Sequence, residues 1–232
     1  MRSAVEPLLK NILHRVTNTE LRSNTYLLAD PTSNGDCVVV DAGLDRERIA
    51  LALSQTAWRP RAVLCTHGHF DHIGGAAWLQ QTYGIAVYLP RADIKLAKMS
   101  NFLMAAFKLK SRISLPDFSL LDDDGPIVDV AGRSFTYHAL PGHTPGSAGI
   151  AVDGLLFSGD SLYAHHTGLS KLPGEDHERL RQSLRHLFSW IADDVLVLPG
   201  HGVAATVHDI SANNAELRTF LELARPIENY PA

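Results

Sequence analysis

The stretch Thr66-His67-Gly68-His69-Phe70-Asp71-His72 decides how the rest of the chain is read. It follows the apolar run Ala62-Val63-Leu64-Cys65, which reads as a buried strand, and precedes a helix-like segment opening at Gly74-Gly75. Four side chains able to ligate a metal thus fall within six residues, where the chain leaves a sheet. His67 and His69 can turn both imidazoles toward one point, and Asp71 and His72 aim at a neighbouring one. Taken alone, such a cluster is more often a structural zinc site or a chance run on a polar loop than a catalytic centre.

Composition narrows the choice. The 232 residues are 45% hydrophobic, enough to fill a core, and the formal charge of −4 offers no general attraction to phosphate backbones or anionic membranes. Neither nucleic acid nor membrane is therefore an expected partner. No eighteen apolar residues run together, and Met1 to Lys10 lacks the apolar core of a signal peptide, so the expected location is the cytoplasm. Cys37 and Cys65 lie in apolar runs as small hydrophobes, not as a disulfide framework. Of the twelve histidines, five fall in short turns after strands, where sites are built.

Working outward, Ile12–Val16, Thr25–Ala29 and Cys37–Asp41 read as a β-meander, the last pair joined by the turn Pro31–Gly35. Asp45 is a candidate N-cap for a helix to Gln55. Gly74–Tyr83 reads as a helix and Ile85–Leu89 as a strand ended by Pro90. Hairpins are expected around Ala131-Gly132-Arg133 and Asp153-Gly154, then a helix from Asp176 to Trp190, strand Val195–Leu198 and a closing helix from Asp209 to Ala224. With no linker in view, the expectation is one domain over 1–232, of two stacked sheets with outer helices. The segment 91–115 reads as helical and is more apolar than one buried face requires. Its Met99, Phe102, Met104 and Phe107 suggest a helical lid that gives the site an apolar substrate; a core helix or a dimer face are the other readings, so monomer and homodimer both stand.

Three further turns carry the rest of the chemistry: Leu140-Pro-Gly-His143-Thr-Pro-Gly-Ser147, Phe157-Ser-Gly-Asp160 and Leu198-Pro-Gly-His201-Gly202. Each follows an apolar strand, and a glycine precedes each candidate ligand. In order and content these motifs resemble the metallo-β-lactamase-fold superfamily, with its T-H-x-H-x-D-H, P-G-H-T, S-G-D and P-G-H elements. The resemblance implies an α+β fold, a four-layer αββα sandwich of two mixed β-sheets flanked by helices. It also implies one metal site on His67, His69 and His143, a second on Asp71, His72 and His201, and Asp160 bridging them. Imidazoles and carboxylates suit two divalent metal ions, with zinc the first choice and iron or manganese the others. A bridging hydroxide held by two ions about 3.5–4 Å apart can attack a carbonyl, with Asp71 as its proton acceptor.

Within the superfamily, Gly159–Tyr163 and Leu172–Asp176 resemble glyoxalase II-like hydrolases. Their stretch has an arginine after a glycine where this chain has Gly168-Leu169, so glutathione contacts do not carry over. The helical C-terminal domain that supplies much of their glutathione pocket is not expected here either. The implied activity is a metal-dependent hydrolase of a small-molecule thioester, lactone or activated ester. The alternative resembles a mononuclear iron-dependent persulfide dioxygenase. Tyr163 is a candidate catalytic donor to an oxyanion, and His165 and His166 candidate pocket residues. Thr66 and Thr144 are expected to support the ligand turns, and Lys171 to reach solvent or an anionic group. His14, His138, His177, His186 and His208 have no motif context and read as structural or solvated.

Overall fold

Along the third strand the side chains alternate: Val38 and Val40 face one way, Cys37 and Val39 the other, and all four are fully buried. A strand buried on both faces needs a covering layer on each side. The computed structural model, which describes residues 11–30, 32–122, 125–169 and 174–222, supplies both. One sheet runs in spatial order β1 (Leu13–Thr17), β2 (Asn24–Ala29), β3 (Asp36–Val40), β4 (Arg59–Leu64), β5 (Ala86–Pro90) and β6 (Phe118–Leu121). It is antiparallel across its first three strands and parallel thereafter. The second holds β7 (Ile127–Val130), β8 (Arg133–Ala139), β9 (Ala148–Val152), β10 (Leu155–Gly159), β11 (Leu196–Pro199) and β12 (Ala205–Thr206), parallel only between β10 and β11.

The sheets face each other through Leu28, Val38, Val40 and Leu64 on one side and Phe135, Ile150 and Phe157 on the other. Helices α1 (Arg46–Thr56), α2 (Phe70–Ile73), α3 (Ala76–Tyr83), α4 (Ile94–Lys98) and α5 (Ser100–Ala106) cover the first sheet, with Ile49, Ile73, Leu79, Ala97 and Met104 against Cys37, Val39 and Val63. Helices α6 (His177–Phe188), α7 (Val207–Asn213) and α8 (Ala215–Glu222) cover the second. Leu180, Leu184 and Leu187 form the buried stripe of α6, at helical spacing. The result is helix, sheet, sheet, helix. Asp45 caps α1 as expected, and Asp176 caps α6. Among the described residues no helix is long and apolar enough to cross a membrane.

The structure departs from the sequence reading in four places. The segment 91–115 is not one helix but a 3-10 turn (Arg91–Asp93), α4 and α5, then an irregular return. Lys108, at φ 59°, ends α5 in a Schellman motif, with Lys108 N–H on Ala105 O and Leu109 N–H on Met104 O. Strands β6 and β12 escaped the reading, being only four and two residues long. The closing helix breaks at Asn214 into α7 and α8, and its expected end at Ala224 lies outside the described residues, as does Pro31 of the first turn. Lastly, Asp71 and His72 belong to α2, a single turn of helix that precedes the expected one.

Candidate metal centre

Each ligand turn leaves the C-terminal end of a strand: β4, β8, β10 or β11. Backbone bonds lace these turns together, from Ala148 N–H to Thr66 O at 2.9 Å, Gly200 N–H to Gly159 O at 2.8 Å and Asn24 N–H to Gly200 O at 2.6 Å. Two glycines make the approach possible. A Cβ on Gly142, at φ 142°, would lie 2.3 Å from Leu180 N, and one on Gly200 would lie 2.1 Å from Asp160 Oδ1.

His67 Nε2 sits 3.1 Å from His69 Nδ1, and His143 Nε2 sits 2.9 Å from the same atom. The three rings stand nearly perpendicular to one another, at 80–86°, so edges rather than faces meet. Such separations suit neighbouring ligands held roughly 2.1 Å from one ion. All three rings are buried. Burial, then the neighbouring imidazoles, pushes His69 down to about 4, and burial holds His67 well below the usual imidazole range. Both therefore present neutral, metal-competent nitrogens.

A second trio lies beside the first. His201 Nε2 is 3.3 Å and His72 Nε2 3.5 Å from Asp71 Oδ2. Asp160 reaches both groups, its Oδ2 lying 3.6 Å from His143 Nε2 and 3.4 Å from His201 Nε2, and its Oδ1 3.4 Å from His72 Nε2. His72 Nε2 and Asp160 Oδ1 are buried yet have no hydrogen-bond partner among the described residues. Leaving such atoms unpaired costs about 1–3 kcal/mol each, and a divalent cation is the partner their chemistry calls for. Burial opposes charge on His201, but hydrogen bonds to Asp160 and Asp71 push it up to about 9. Burial likewise works against the Asp160 carboxylate, which His72 and His201 hold well below its ordinary range. Two anionic carboxylates drawing protons onto nearby imidazoles is the charge pattern a cation would replace. The donor set fits two divalent ions.

The pattern of the metallo-beta-lactamase superfamily matches residues 18–201, spanning every one of these turns. The chain belongs to that superfamily. Hydroxyacylglutathione hydrolase GloC of Haemophilus influenzae is 28% identical to it over 210 residues, covering 87% of this chain and 95% of that protein. The crystal structure of TTHA1623 in a di-iron-bound form superposes with a TM-score of 0.76 at 30% identity, covering 87% of this chain and 98% of that one. That of BLEG-1 B3 metallo-beta-lactamase gives 0.76 at 26% identity, covering 89% and 99%. The superfamily binds divalent metals, and this member has the His/Asp groups to do so.

Behind the two trios of this metallo-β-lactamase-fold site lie two buried aspartates that the sequence reading missed. Asp41, turned into a left-handed conformation at φ 55° after β3, accepts Thr66 N–H on Oδ1 at 2.8 Å. Its Oδ2 accepts the Thr66 hydroxyl at 2.8 Å and His72 Nδ1 at 2.9 Å. Since the Thr66 hydroxyl gives its proton to Asp41, it must accept from His67 Nδ1, 3.0 Å away. One carboxylate thus sets the tautomer of a histidine in each trio, freeing both Nε2 lone pairs. Asp41, His67 and His72 also converge as a group, but these bonds already engage Asp41 and make it a support rather than a third site.

Asp93 does the same for the turns themselves. It is fully buried, with Oδ2 accepting Gly68 N–H at 2.8 Å and the Thr144 hydroxyl at 2.7 Å, and Oδ1 accepting Gly146 N–H at 2.7 Å. The carboxylate clips the His67–His69 turn to the His143 turn. Asp93→Ala would strand three donors, so a loss of about 3 kcal/mol is expected. For a chain of this size that is a fall in Tm of roughly 6–12 °C, with ion affinity at the histidine trio down ~10-fold or more. Thermal melts and competitive metal titration check both, and a variant with wild-type Tm and affinity would refute the clip.

Other candidates divide. Tyr163 lines the cleft, where burial first and then the Asp160 carboxylate hold its phenol well above the ordinary range. Asn214, fully buried, holds its loop by donating to Tyr163 O at 3.2 Å and His166 O at 3.1 Å. His165 and His166 are exposed, the latter with its ring 4.5 Å from that of Tyr163. Thr66 and Thr144 brace the turns through Asp41 and Asp93. His14, His138, His177, His186 and His208 line no part of the metal cleft, and Lys171 lies outside the described residues. Of the apolar residues expected at the mouth, Met104 is wholly in the core and Phe102 is 70% exposed, whereas Leu103 and Phe107 line the cleft.

Proposed function

We propose that this chain is a dinuclear metal-dependent hydrolase that cleaves a thioester, lactone or other activated ester. The observation that carries this reading is a pair of buried His/Asp trios with one carboxylate, Asp160, between them. Two bound divalent ions supply an activated water near neutral pH and polarise the substrate carbonyl. His67, His69 and His143 would hold one, and Asp71, His72 and His201 the other, with Asp160 shared. Zinc is our first choice, and the di-iron form of TTHA1623 keeps iron in view.

The protein's own groups do the rest. Asp71 lines the cleft and is positioned to take up the proton of the attacking water and pass it to the leaving group. Tyr163, on the cleft wall, would donate its hydroxyl to a developing oxyanion. Asp41 and Thr66 keep two histidines in the ligating tautomer throughout. The likeness to the Haemophilus influenzae hydroxyacylglutathione hydrolase supports hydrolysis as the reaction type.

Metal analysis of replete protein, with a panel of thioesters, lactones and aryl esters, tests this. We expect two equivalents per chain and turnover of at least one class. A ceiling of one equivalent of iron, with oxygen consumed on a persulfide, would instead establish the oxidoreductase reading.

A further inference from the structure

Resting on the hydrolase reading, we propose that the acyl group of the substrate is a neutral apolar chain, seated against Leu21, Phe70, Leu103 and Phe107. The metal cleft has a volume of about 220 Å³. Apart from the candidate ligands its wall consists of those four residues, Tyr163 and Gly168, with no lysine or arginine among the described residues. A tripeptide-thiol ester with several carboxylates would find no lysine or arginine on that wall among the described residues to pair with them. An alkyl or aryl chain would lose nothing there and would gain burial.

The wall is also built at some expense to the fold. Leu21 and Arg22 are consecutive non-glycine residues in the left-handed region, at φ 54° and 56°. The turn is held there by its neighbours: Ser23 Oγ donates to Asp71 O at 2.8 Å, Ser23 pairs with His201, and Asn18 Nδ2 donates to Ser23 O at 2.9 Å. These bonds leave Leu21 in the cleft wall, 38% exposed. Across the cleft, Phe107 is 43% exposed and meets the ring of Phe70 edge-on at 5.7 Å. Its segment is fixed rather than swinging. Asn101 exchanges two hydrogen bonds with the Ile113 backbone, at 3.0 and 2.9 Å, closing residues 101–113 into a stapled loop.

Two of the nine large hydrophobic residues exposed among the described residues, Leu21 and Phe107, are in the cleft wall. Exposed apolar surface of that kind gains free energy only when something apolar covers it. Hydrolysis of such a thioester adds water across the acyl–sulfur bond, releasing a carboxylic acid and a thiol.

The test uses two probe series on metal-loaded protein. The first is N-acetylcysteamine thioesters from acetyl to decanoyl, with the same acyl groups on glutathione; the second is acetohydroxamate against octanohydroxamate, with binding read by calorimetry. We expect kcat/KM on the neutral series to rise roughly two- to fourfold per methylene before levelling off, the range for partial to full burial. Octanohydroxamate should bind at least ~30-fold more tightly than acetohydroxamate. Phe107→Ala should cut the octanoyl-to-acetyl ratio by about tenfold or more, while Phe102→Ala, at a residue that lines no part of the cleft, leaves it unchanged. A flat series, a preference for the glutathione thioesters or equal hydroxamate affinities would overturn the proposal. If no ester of any length is cleaved, the hydrolase reading falls by itself, and the hydroxamate affinities still judge the wall.

Discussion

Replacing Asp71 with alanine is expected to lower kcat/KM by ~10³-fold or more, and to reduce bound metal from two equivalents toward one. On the proposed reading the residue has two separable roles. As a candidate ligand its Oδ2 lies 3.3 Å from His201 Nε2 and 3.5 Å from His72 Nε2, so its loss dismantles the second trio. As a member of the cleft wall it would, on the proposed reading, handle the proton of the attacking water. In the metal-free protein the folding cost should be modest, because burial and the neighbouring Asp160 both work against the carboxylate's charge and His72 and His201 outweigh them; in metal-loaded protein the loss of the second ion adds its own fall in Tm. Asp71→Asn separates the roles: it keeps an oxygen ligand but cannot accept a proton, so metal content should largely recover while turnover does not. His138→Ala, on the far side of the second sheet against Trp190, serves as the control. An Asp71→Ala enzyme that keeps most of its turnover would show that the nucleophile's proton leaves by another route.

The ligand turns were legible because they are local. Each is a strand end, a glycine and a metal-capable side chain within a few consecutive residues, and such a unit needs no knowledge of the rest of the fold. The supporting aspartates were not, because their meaning lies in long-range pairing. Asp41 meets Thr66, 25 residues on, because β3 and β4 are parallel neighbours with Val40 opposite Leu64. Asp93 meets Thr144 across 51 residues and between the two sheets, and nothing around it in the sequence distinguishes it from a solvated helix residue. The apolar segment was half legible. Its contact with the site follows from helical spacing, since Leu103 and Phe107 are four apart and share a face, whereas Phe102 and Met104 are two apart and cannot. Its break into two short helices was hidden, because the buried Asp93 at one end and the Asn101–Ile113 staple in the middle are tertiary constraints. The layers could be anticipated for the opposite reason: Cys37–Val40 is apolar at every position, and a short strand of that kind must be covered on both faces.

Stripping the metal is expected to lower the Tm by roughly 10 °C or more, and adding zinc back should restore it. An ion present at about a thousand times its Kd stabilises the folded chain by ~4 kcal/mol, provided the unfolded chain does not bind it. For a protein of this length each kcal/mol moves Tm by about 2–4 °C, so one ion alone accounts for roughly 8–16 °C. The structure gives a reason to expect an effect of that size. Asp41, Asp71 and Asp160 are all buried within one cluster, and His72 Nε2 and Asp160 Oδ1 are left without partners. Without ions, the compensation for these carboxylates falls on imidazoles that burial discourages from taking a proton. A His201→Ala protein should show a smaller shift, since it keeps the histidine trio and loses the other. The measurement is a pair of melts, before and after chelation, with metal content determined on the same samples. If chelation removes the metal and the melting curve does not move, the ions are not part of what holds these turns together.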